Sequence, residues 1–346
     1  MKRAISLFLF FVLLCPLLFS CKSDSPKSKT TYDYFNTVCT IHSYNGESAS
    51  DFEKNAAKFI TMLEKYHKLF DIYFSYSGVS NVYTINENAG KETVKVSSEL
   101  IDFLLYSKEM YTLTNGKVNV AMGAVLKLWH NKRTESQISG IIPSLPTAEE
   151  LAEAAKHTNI DNLIIDKQNS TVYISDPKMS LDVGAIAKGY TAQKIAEYFK
   201  EINVTGYVID LGGNLCTIGK KASGDGWITG VKNPSFNSES PYVAKIKIQD
   251  TSCVTSGDYE RYYTVGGQRY HHIIDPVTLY PATYYASVTI VTKNSALADT
   301  LSTALFCMNE SDGRALIGKL SGVEVMWVYH DGHTSATAGF EEILEN

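Results

Sequence analysis

The organisation of the chain is set by the segment Ser180–Gly219, SLDVGAIAKGYTAQKIAEYFKEINVTGYVIDLGGNLCTIG. The segment has the pattern of a strand end, a glycine-containing turn, a helix, a second strand and a second glycine turn. Apolar residues recur at the spacing of one helix face between Ala192 and Phe199, and Tyr207–Leu211 is a short apolar strand. Because this strand–helix–strand spacing occurs once and not repeatedly, it does not predict a doubly wound Rossmann sheet.

The first glycine turn is a candidate phosphate site. Asp182, Gly184, Lys188 and Gly189 lie between the strand and the helix. A helix N-terminus offers free backbone N–H groups and the positive end of the helix dipole, which suit an anion. The segment matches neither GxGxxG nor GxxxxGK[ST], so the generic nucleotide motifs are absent. An ordinary tight turn with no ligand is the alternative interpretation of this segment alone.

The remaining pattern favours a mixed α+β fold with largely antiparallel core sheets and packed helices, in one two-lobed domain over residues 32–346. A cofactor site is expected between the lobes, which is a usual place for one. The main predicted elements are a strand at Tyr32–His42, helices at Ser50–Phe70 and Ser97–Thr114, a strand running into a helix at Lys117–Trp129, a strand at Val172–Leu181, a hairpin of Tyr259–Val265 with Arg269–Ile274, a helix at Ala296–Phe306 and a last strand at Val323–Tyr329.

Composition excludes some classes of function. The 346 residues carry 32 Lys and Arg against 37 Asp and Glu, and the net charge of −5 gives no global signal for nucleic-acid binding. Cys39, Cys216, Cys253 and Cys307 are widely spaced and form no CxxC pair, which argues against a zinc cluster or a thioredoxin-like site. Buried free thiols are expected, with a disulfide as the alternative in an oxidising compartment.

The N-terminus predicts export. Lys2 and Arg3 precede a short apolar run, so residues 1–20 form a signal peptide that is too short to span a membrane comfortably. Leu18–Cys21 resembles a bacterial lipobox, which predicts a lipid on Cys21 and an anchor in the cell envelope on the periplasmic side. Residues 21–31 would then be the lipidated Cys and a flexible tether. Cleavage elsewhere, giving a soluble secreted protein, is the alternative.

Two further segments carry side chains suited to chemistry. In Tyr270–Pro276 (YHHIIDP), His271 and His272 would point to opposite faces of a strand, so at most one of them joins any given site. A His and an Asp suit general acid–base work, with a structural pair as the alternative. Asp299 and Thr303 stand at i and i+4 on one helix face, where two oxygens could hold a hard cation such as Mg²⁺. Alternatively, Asp299 complements the helix dipole while Thr303 bonds back to a carbonyl.

Taken together, the segments resemble one family. LDVGAIAKGYTAQKIA, YVIDLGGNL, CVTSGDYERYY, YHHIIDP and ADTLSTALF stand in the order seen in ApbE-type flavin transferases, the FAD:protein FMN transferases. This resemblance implies an enzyme that binds FAD with Mg²⁺. A Thr or Ser hydroxyl of an acceptor redox protein attacks the FMN-side phosphorus, AMP leaves, and FMN stays attached. Such an acceptor outside the cytoplasm agrees with the lipobox.

The resemblance also implies roles for particular residues. Phe35 stands where many members have Met, and it could stack on the flavin instead. Mg²⁺ would be held by the backbone carbonyl of Ala185 with Asp299 and Thr303. His272, with Asp258 as second candidate, would help to deprotonate the acceptor hydroxyl. The remaining positions implied to contact FAD are Tyr76, Asn119, Ala121, Met122, Asp182, Lys188 and Ile274.

Two other functions are compatible with the same motifs. With water in place of the acceptor hydroxyl, the site would be a Mg²⁺-dependent FAD pyrophosphatase that gives FMN and AMP. A periplasmic FAD-binding lipoprotein without turnover is the third hypothesis. The presence of both Asp299 and Thr303 argues against it.

Overall fold

The computed structural model describes residues 26–235 and 240–345. The predicted signal peptide 1–20, the lipidation site Cys21 and the first part of the tether lie outside the described residues. Within the described part, no helix is both long and apolar enough to cross a membrane.

The described chain contains both helices and strands, with a run of consecutive strands between α6 and α7. The helices are α1 Ala49–Phe70, α2 Val82–Glu87, α3 Ser98–Leu113, α4 Gly123–Glu135, α5 Ala148–Ala155, α6 Ala187–Glu201, α7 Ser295–Phe306, α8 Glu310–Ile317 and α9 Ala338–Glu342. The strands are β1 Lys27–Thr31, β2 Cys39–Ser43, β3 Val94–Lys95, β4 Leu163–Asp166, β5 Thr171–Ile174, β6 Tyr207–Leu211, β7 Asn214–Ile218, β8 Trp227–Lys232, β9 Tyr242–Ile248, β10 Ser252–Gly257, β11 Tyr263–Val265, β12 Gln268–Tyr270, β13 Ser287–Thr292, β14 Val323–Val328 and β15 Thr334–Ala336.

An eight-stranded sheet forms the centre of the molecule. Its order is β1-β2-β6-β7-β10-β13-β14-β15, and every neighbouring pair in it is antiparallel. Smaller antiparallel groups are β3-β5-β4, β8-β9 and β11-β12. The prediction of an α+β fold built on antiparallel sheets is therefore confirmed.

Apolar side chains place helices on one face of the large sheet and a hairpin on the other. Phe59 of α1 and Phe199 of α6 belong to one buried cluster with Ile209 of β6. On the opposite face, Trp227 of β8 is buried in a cluster with Phe340 of α9. With both faces covered, the strands are held rigidly, and the turns at their ends can present side chains at fixed positions.

One end of this sheet opens next to a smaller group of elements. β7 pairs with β10 only over Ser252–Val254, so the next three residues of β10 have β13 alone as a neighbour. Close to this end, Trp129 of α4 is buried with Tyr263 of β11 and Ile274. The gap between these two parts is where the candidate site lies.

Several predicted boundaries were wrong. Phe35 and Asn36 have left-handed backbone (φ 55° and 50°), which breaks the strand predicted at Tyr32–His42, so β2 begins at Cys39. Part of the predicted tether, Lys27–Thr31, is β1 and pairs with β2, so the folded unit begins earlier than residue 32. The chain has no strand at the start of Lys117–Trp129, because the side chain of Asn119 caps a short 3₁₀ turn that leads into α4.

The other elements agree with prediction in kind but are shorter. The strand predicted at Val172–Leu181 ends at Ile174. The predicted hairpin is β11 with β12, and it ends at Tyr270, before the histidine pair. The four cysteines of the described chain are buried free thiols, as expected from their spacing: Cys39, Cys216, Cys253 and Cys307.

Candidate active site

A cavity of about 860 Å³ lies at the open end of the large sheet. Its size lies toward the upper end of the roughly 300–1,000 Å³ that is typical of small-molecule and cofactor sites. Eleven of the residues singled out from the sequence line it: Phe35, Tyr76, Asn119, Met122, Asp182, Ala185, Lys188, His272, Ile274, Asp299 and Thr303. The structure thus brings together positions that are up to 268 residues apart (303 − 35) in the chain.

The turn before α6 does not offer a row of free amides. The Gly184 amide donates to Asp182 Oδ1 at 2.9 Å, and the Gly189 amide donates to Asp299 Oδ2 at 2.7 Å. The amides of Ile186 and Ala187 donate to the Val183 carbonyl. Four of the backbone N–H groups that could have formed the predicted phosphate cradle are therefore satisfied within the protein.

Asp299 and the start of α6 form the candidate metal site. The Asp299 side chain is 4% exposed, and burial raises the pKa of its carboxyl while the charge of Lys188 and the Gly189 amide oppose the rise. In a helix continued backwards by one turn, the Gly189 amide would donate to the Ala185 carbonyl. Because it donates to Asp299 instead, the Ala185 carbonyl is left without its helical donor.

This arrangement fits a hard cation. Asp299 Oδ1 is 3.9 Å from the Lys188 ammonium, too far for a hydrogen bond, and Thr303 lines the same cavity. A carboxylate, a hydroxyl and a backbone carbonyl are all oxygen donors, which Mg²⁺ prefers, and Mg²⁺ keeps several other positions for waters and phosphates. Among the described residues, no group of three or more His, Cys, Asp or Glu side chains is arranged for a metal. A site here would thus depend on one carboxylate.

His272 lies in the cavity as a neutral base. Burial, followed by the charges of Arg261, His271 and Lys188, lowers the pKa of His272 to about 3. Its Nδ1 is buried and has no hydrogen-bond partner. A neutral imidazole with an unpaired nitrogen can accept a proton, and a bound anion would raise its pKa and strengthen it as a base.

The neighbouring histidine has a different role. His271 is buried, its Nε2 is 2.8 Å from the Ala282 carbonyl, and its Nδ1 accepts from the Ile273 amide at 3.2 Å. Both nitrogens are used by the backbone, so His271 holds the segment in place. This is the outcome expected if at most one of the two joins a given site.

The protein-family model that matches this chain is that of the ApbE family, over residues 35–327. The chain belongs to the ApbE family. It is 30% identical to the FAD:protein FMN transferase of Klebsiella pneumoniae strain 342 over 277 residues, which are 80% of this chain and 82% of that one. It is 30% identical to the FAD:protein FMN transferase of Treponema pallidum over 317 residues, covering 88% and 84% of the two chains.

Solved ApbE structures share the fold. The crystal structure of the ApbE protein of Thermotoga maritima superposes with a TM-score of 0.80 at 27% identity, and the match covers 93% of this chain and all of that one. The flavin transferase ApbE of Vibrio cholerae superposes with a TM-score of 0.77 at 24% identity. The family predicted from the sequence motifs is confirmed, and so is the prediction of a transferase enzyme.

Two predicted site residues of this ApbE-family chain lie outside the cavity lining. The Ala121 side chain is fully buried in the main core, so it supports the wall from behind. The Asp258 carboxylate faces His330, whose Nδ1 is 3.6 Å from its Oδ2. Neither side chain therefore lines the cavity, although Gly257 and Tyr259 on either side of Asp258 do.

Some of the residues predicted to contact FAD also form hydrogen bonds within the protein. The Asn119 side chain donates to the Thr158 carbonyl and accepts from the Ala121 amide, so both of its polar ends are occupied. The Tyr76 hydroxyl donates to Asp71 Oδ2 at 2.6 Å, which fixes the ring at the cavity wall. Burial raises the pKa of Asp182, while the Gly184 amide and the nearby cations oppose the rise. The ligand contacts of these residues stay predictions.

Several residues that line the cavity of this ApbE-family chain are not among the site residues predicted from the sequence. Asn214 follows the second glycine turn, and its buried Oδ1 has no partner although the residue lines the cavity. Arg133 reaches the cavity from α4, and Arg261 reaches it from the turn after β10. Asn214 and Arg261 stand inside the quoted motifs YVIDLGGNL and CVTSGDYERYY, which is the signal that points to them. Nothing in the sequence around Arg133 marks it.

Proposed function

We propose that this chain is an FAD:protein FMN transferase that moves FMN from FAD to a Thr or Ser hydroxyl of an acceptor protein and releases AMP. The observation that carries the proposal is the convergence of a neutral His272, a buried Asp299 and several cations on one cavity of dinucleotide size. The names of the curated ApbE relatives support the same activity.

The reaction is a phosphoryl transfer. The acceptor oxygen forms a bond to the FMN-side phosphorus as the bond to the bridging oxygen breaks, and AMP leaves with that oxygen. Catalysis of such a step depends on alignment and on neutralising the crowded phosphate oxygens. Lys188 supplies one positive charge at the cavity wall. His272, whose imidazole is neutral, accepts the proton of the attacking hydroxyl.

Mg²⁺ belongs to this proposal, held by Asp299, Thr303 and the Ala185 carbonyl. When bound, it would neutralise phosphate charge and withdraw electrons from the reacting phosphorus. Asp299 accepts the Gly189 amide on one oxygen, which leaves its other oxygen available for the cation. The protein would hold these oxygen donors in place before the substrate binds.

The cellular setting is part of the proposal as well. A lipid on Cys21 would hold the protein at the periplasmic side of the membrane, next to extracytoplasmic redox proteins that serve as acceptors. The basis is the N-terminal sequence, since these residues lie outside the described part of the chain.

The test mixes the purified protein with FAD, Mg²⁺ and a Thr-containing acceptor domain, and follows AMP release together with the intact mass of the acceptor. AMP with an FMN-sized mass gain, both abolished by EDTA, is the expected result. AMP with free FMN and an unmodified acceptor would indicate a pyrophosphatase instead. Intact bound FAD with no AMP would overturn the enzymatic function and leave a flavin-binding protein.

A further inference from the structure

Two arginines meet at the rim of the cavity, on elements that are far apart in sequence. The Arg133 guanidinium of α4 donates from Nη1 to the Arg261 carbonyl at 3.4 Å, and its Nη2 is 2.9 Å from His130 Nδ1. The Arg261 guanidinium donates from Nη2 to the Asn36 carbonyl at 3.3 Å. All four residues line the cavity.

Neither guanidinium forms an ion pair within the described residues, although the charge of Asp182 reaches both from beyond 4.0 Å. Within residues 26–235 and 240–345, no carboxylate oxygen lies within 4.0 Å of Arg133 or Arg261. Arg133 is half-buried, and burial together with the charge of Arg261 lowers the pKa of its guanidinium. A partly desolvated cation that interacts with a like charge is costly unless an anion joins it.

The backbone that holds the pair is strained. Arg261 has φ 47°, and its partner Asn36 has φ 50°, both in the left-handed region that non-glycine residues seldom adopt. Such conformations concentrate at ligand-binding positions. The strained residues are joined by the Arg261–Asn36 hydrogen bond, so the loop after β1 and the turn after β10 are tied across the rim.

We infer that Arg133 and Arg261 form an anion subsite that binds the pyrophosphate of FAD in this cavity. Arginine suits this task because its planar fork can contact two phosphate oxygens at once. Arg133, Arg261 and Lys188 all line the cavity, and their charges all act on the buried His272. The inference rests on the proposed function and adds two substrate-binding residues to it.

The test compares ligands that differ in the pyrophosphate. Dissociation constants of FAD and of riboflavin are measured by flavin fluorescence for the wild-type protein and for Arg261→Asn and Arg133→Gln. Asn tolerates the left-handed backbone, so Arg261→Asn removes the guanidinium and leaves the carbonyl that Arg133 contacts. Lys167→Gln is the matched control, since Lys167 is a surface residue with its ammonium paired to Asp102.

We expect the dissociation constant of FAD to rise about 10- to 100-fold in each arginine variant, as for a lost charge-assisted hydrogen bond, while that of riboflavin stays within about twofold. Equal losses for both flavins would overturn the inference and make the pair structural. Unchanged FAD binding with slower transfer to the acceptor would also overturn it and assign the pair to the acceptor. If the arginine variants lose affinity for FAD and not for riboflavin, but the wild-type protein releases no AMP, the proposed function is wrong and the inference about the arginines still holds.

Discussion

Gly189 of α6 and Asp299 of α7 are in direct contact at the candidate metal site. A β-carbon placed on Gly189 would stand 2.3 Å from the Asp299 β-carbon, and the Gly189 amide donates to Asp299 Oδ2 at 2.7 Å. The absence of a side chain lets the two helices approach, and the approach lets an amide orient the carboxylate. One glycine therefore sets both the helix packing and the direction of the carboxylate oxygens.

Gly189→Ala is expected to separate α6 from α7. The added methyl would also meet the Ser295 carbonyl at 2.4 Å, so the backbone has to move. Overpacking of this kind costs roughly 1–3 kcal/mol, and the hydrogen bond to Asp299 is lost with it. Urea unfolding and AMP release measure the two effects. Gly313→Ala in α8, where the nearest atoms are 3.3 Å and 3.4 Å away on side chains, is the control and should cost less than about 1 kcal/mol.

Asp299→Asn is expected to abolish turnover without unfolding the protein. The amide oxygen can still accept from Gly189, but the negative charge that would hold a divalent cation is gone. We expect AMP release to fall at least about 100-fold, since one electrostatic contact in a phosphoryl-transfer site is typically worth that much. A magnesium titration and a thermal melt check this. An unchanged rate at saturating magnesium, with unchanged Tm, would show that the metal site is elsewhere.

His272→Gln is expected to slow the chemical step by about 10²- to 10⁴-fold, the usual contribution of a general base, with little change in FAD affinity. In the wild-type protein, the lowered pKa of His272 keeps the unliganded imidazole neutral, so kcat/KM should show no fall from this residue between pH 8 and pH 5. Initial rates of AMP release across that range measure this.

His271→Gln is the matched comparison for that experiment. Since both nitrogens of His271 bond to backbone groups, its loss is expected to lower Tm more than the rate constant of the chemical step. A larger rate effect at His271 than at His272 would reverse the assignment of the base.

The same imidazole is expected to make the protein sensitive to acid. In the unfolded chain a His titrates near pH 6.5, whereas burial lowers the pKa of folded His272 to about 3. Between these values the unfolded state binds a proton that the folded state does not, so the free energy of unfolding falls as the pH falls. Relative to His272→Gln, the wild-type protein should lose up to about 1.4 kcal/mol per pH unit from pH 6 to pH 4. Urea unfolding at several pH values tests this, and a constant difference would contradict it.

Short motifs made most of the candidate site predictable. Asp299 and Thr303 share a helix face because of their spacing alone, and the segment from Asp182 to Gly189 turns into a helix because of its glycine and its apolar periodicity. Such features depend on residues that are close together in the sequence, so they can be predicted without the tertiary structure. The antiparallel fold class was predictable for the same reason, since alternating short strands with turn residues between them leave few other arrangements.

The predictions failed where contacts between residues far apart in the sequence determine the backbone conformation. The left-handed Phe35 and Asn36 end a strand that local propensity would continue, and the carbonyl of Asn36 is bonded to Arg261, 225 positions away. Likewise, the backbone amides at the start of α6 look free in the sequence, but the Gly189 amide donates a hydrogen bond to Asp299. Propensity cannot anticipate either outcome, because the partner comes from another element.

The sequence by itself determined the family, the fold class and the residue types available for chemistry, since all three are carried by local order along the chain. The tertiary structure alone decided which of those residues face one cavity. It excluded Ala121 and Asp258 from its lining, left His272 neutral with a free nitrogen, and brought Arg133 to Arg261. Exposure, charge environment and distance are properties of the packed chain, and packing joins residues whose separation in sequence says nothing about their separation in space.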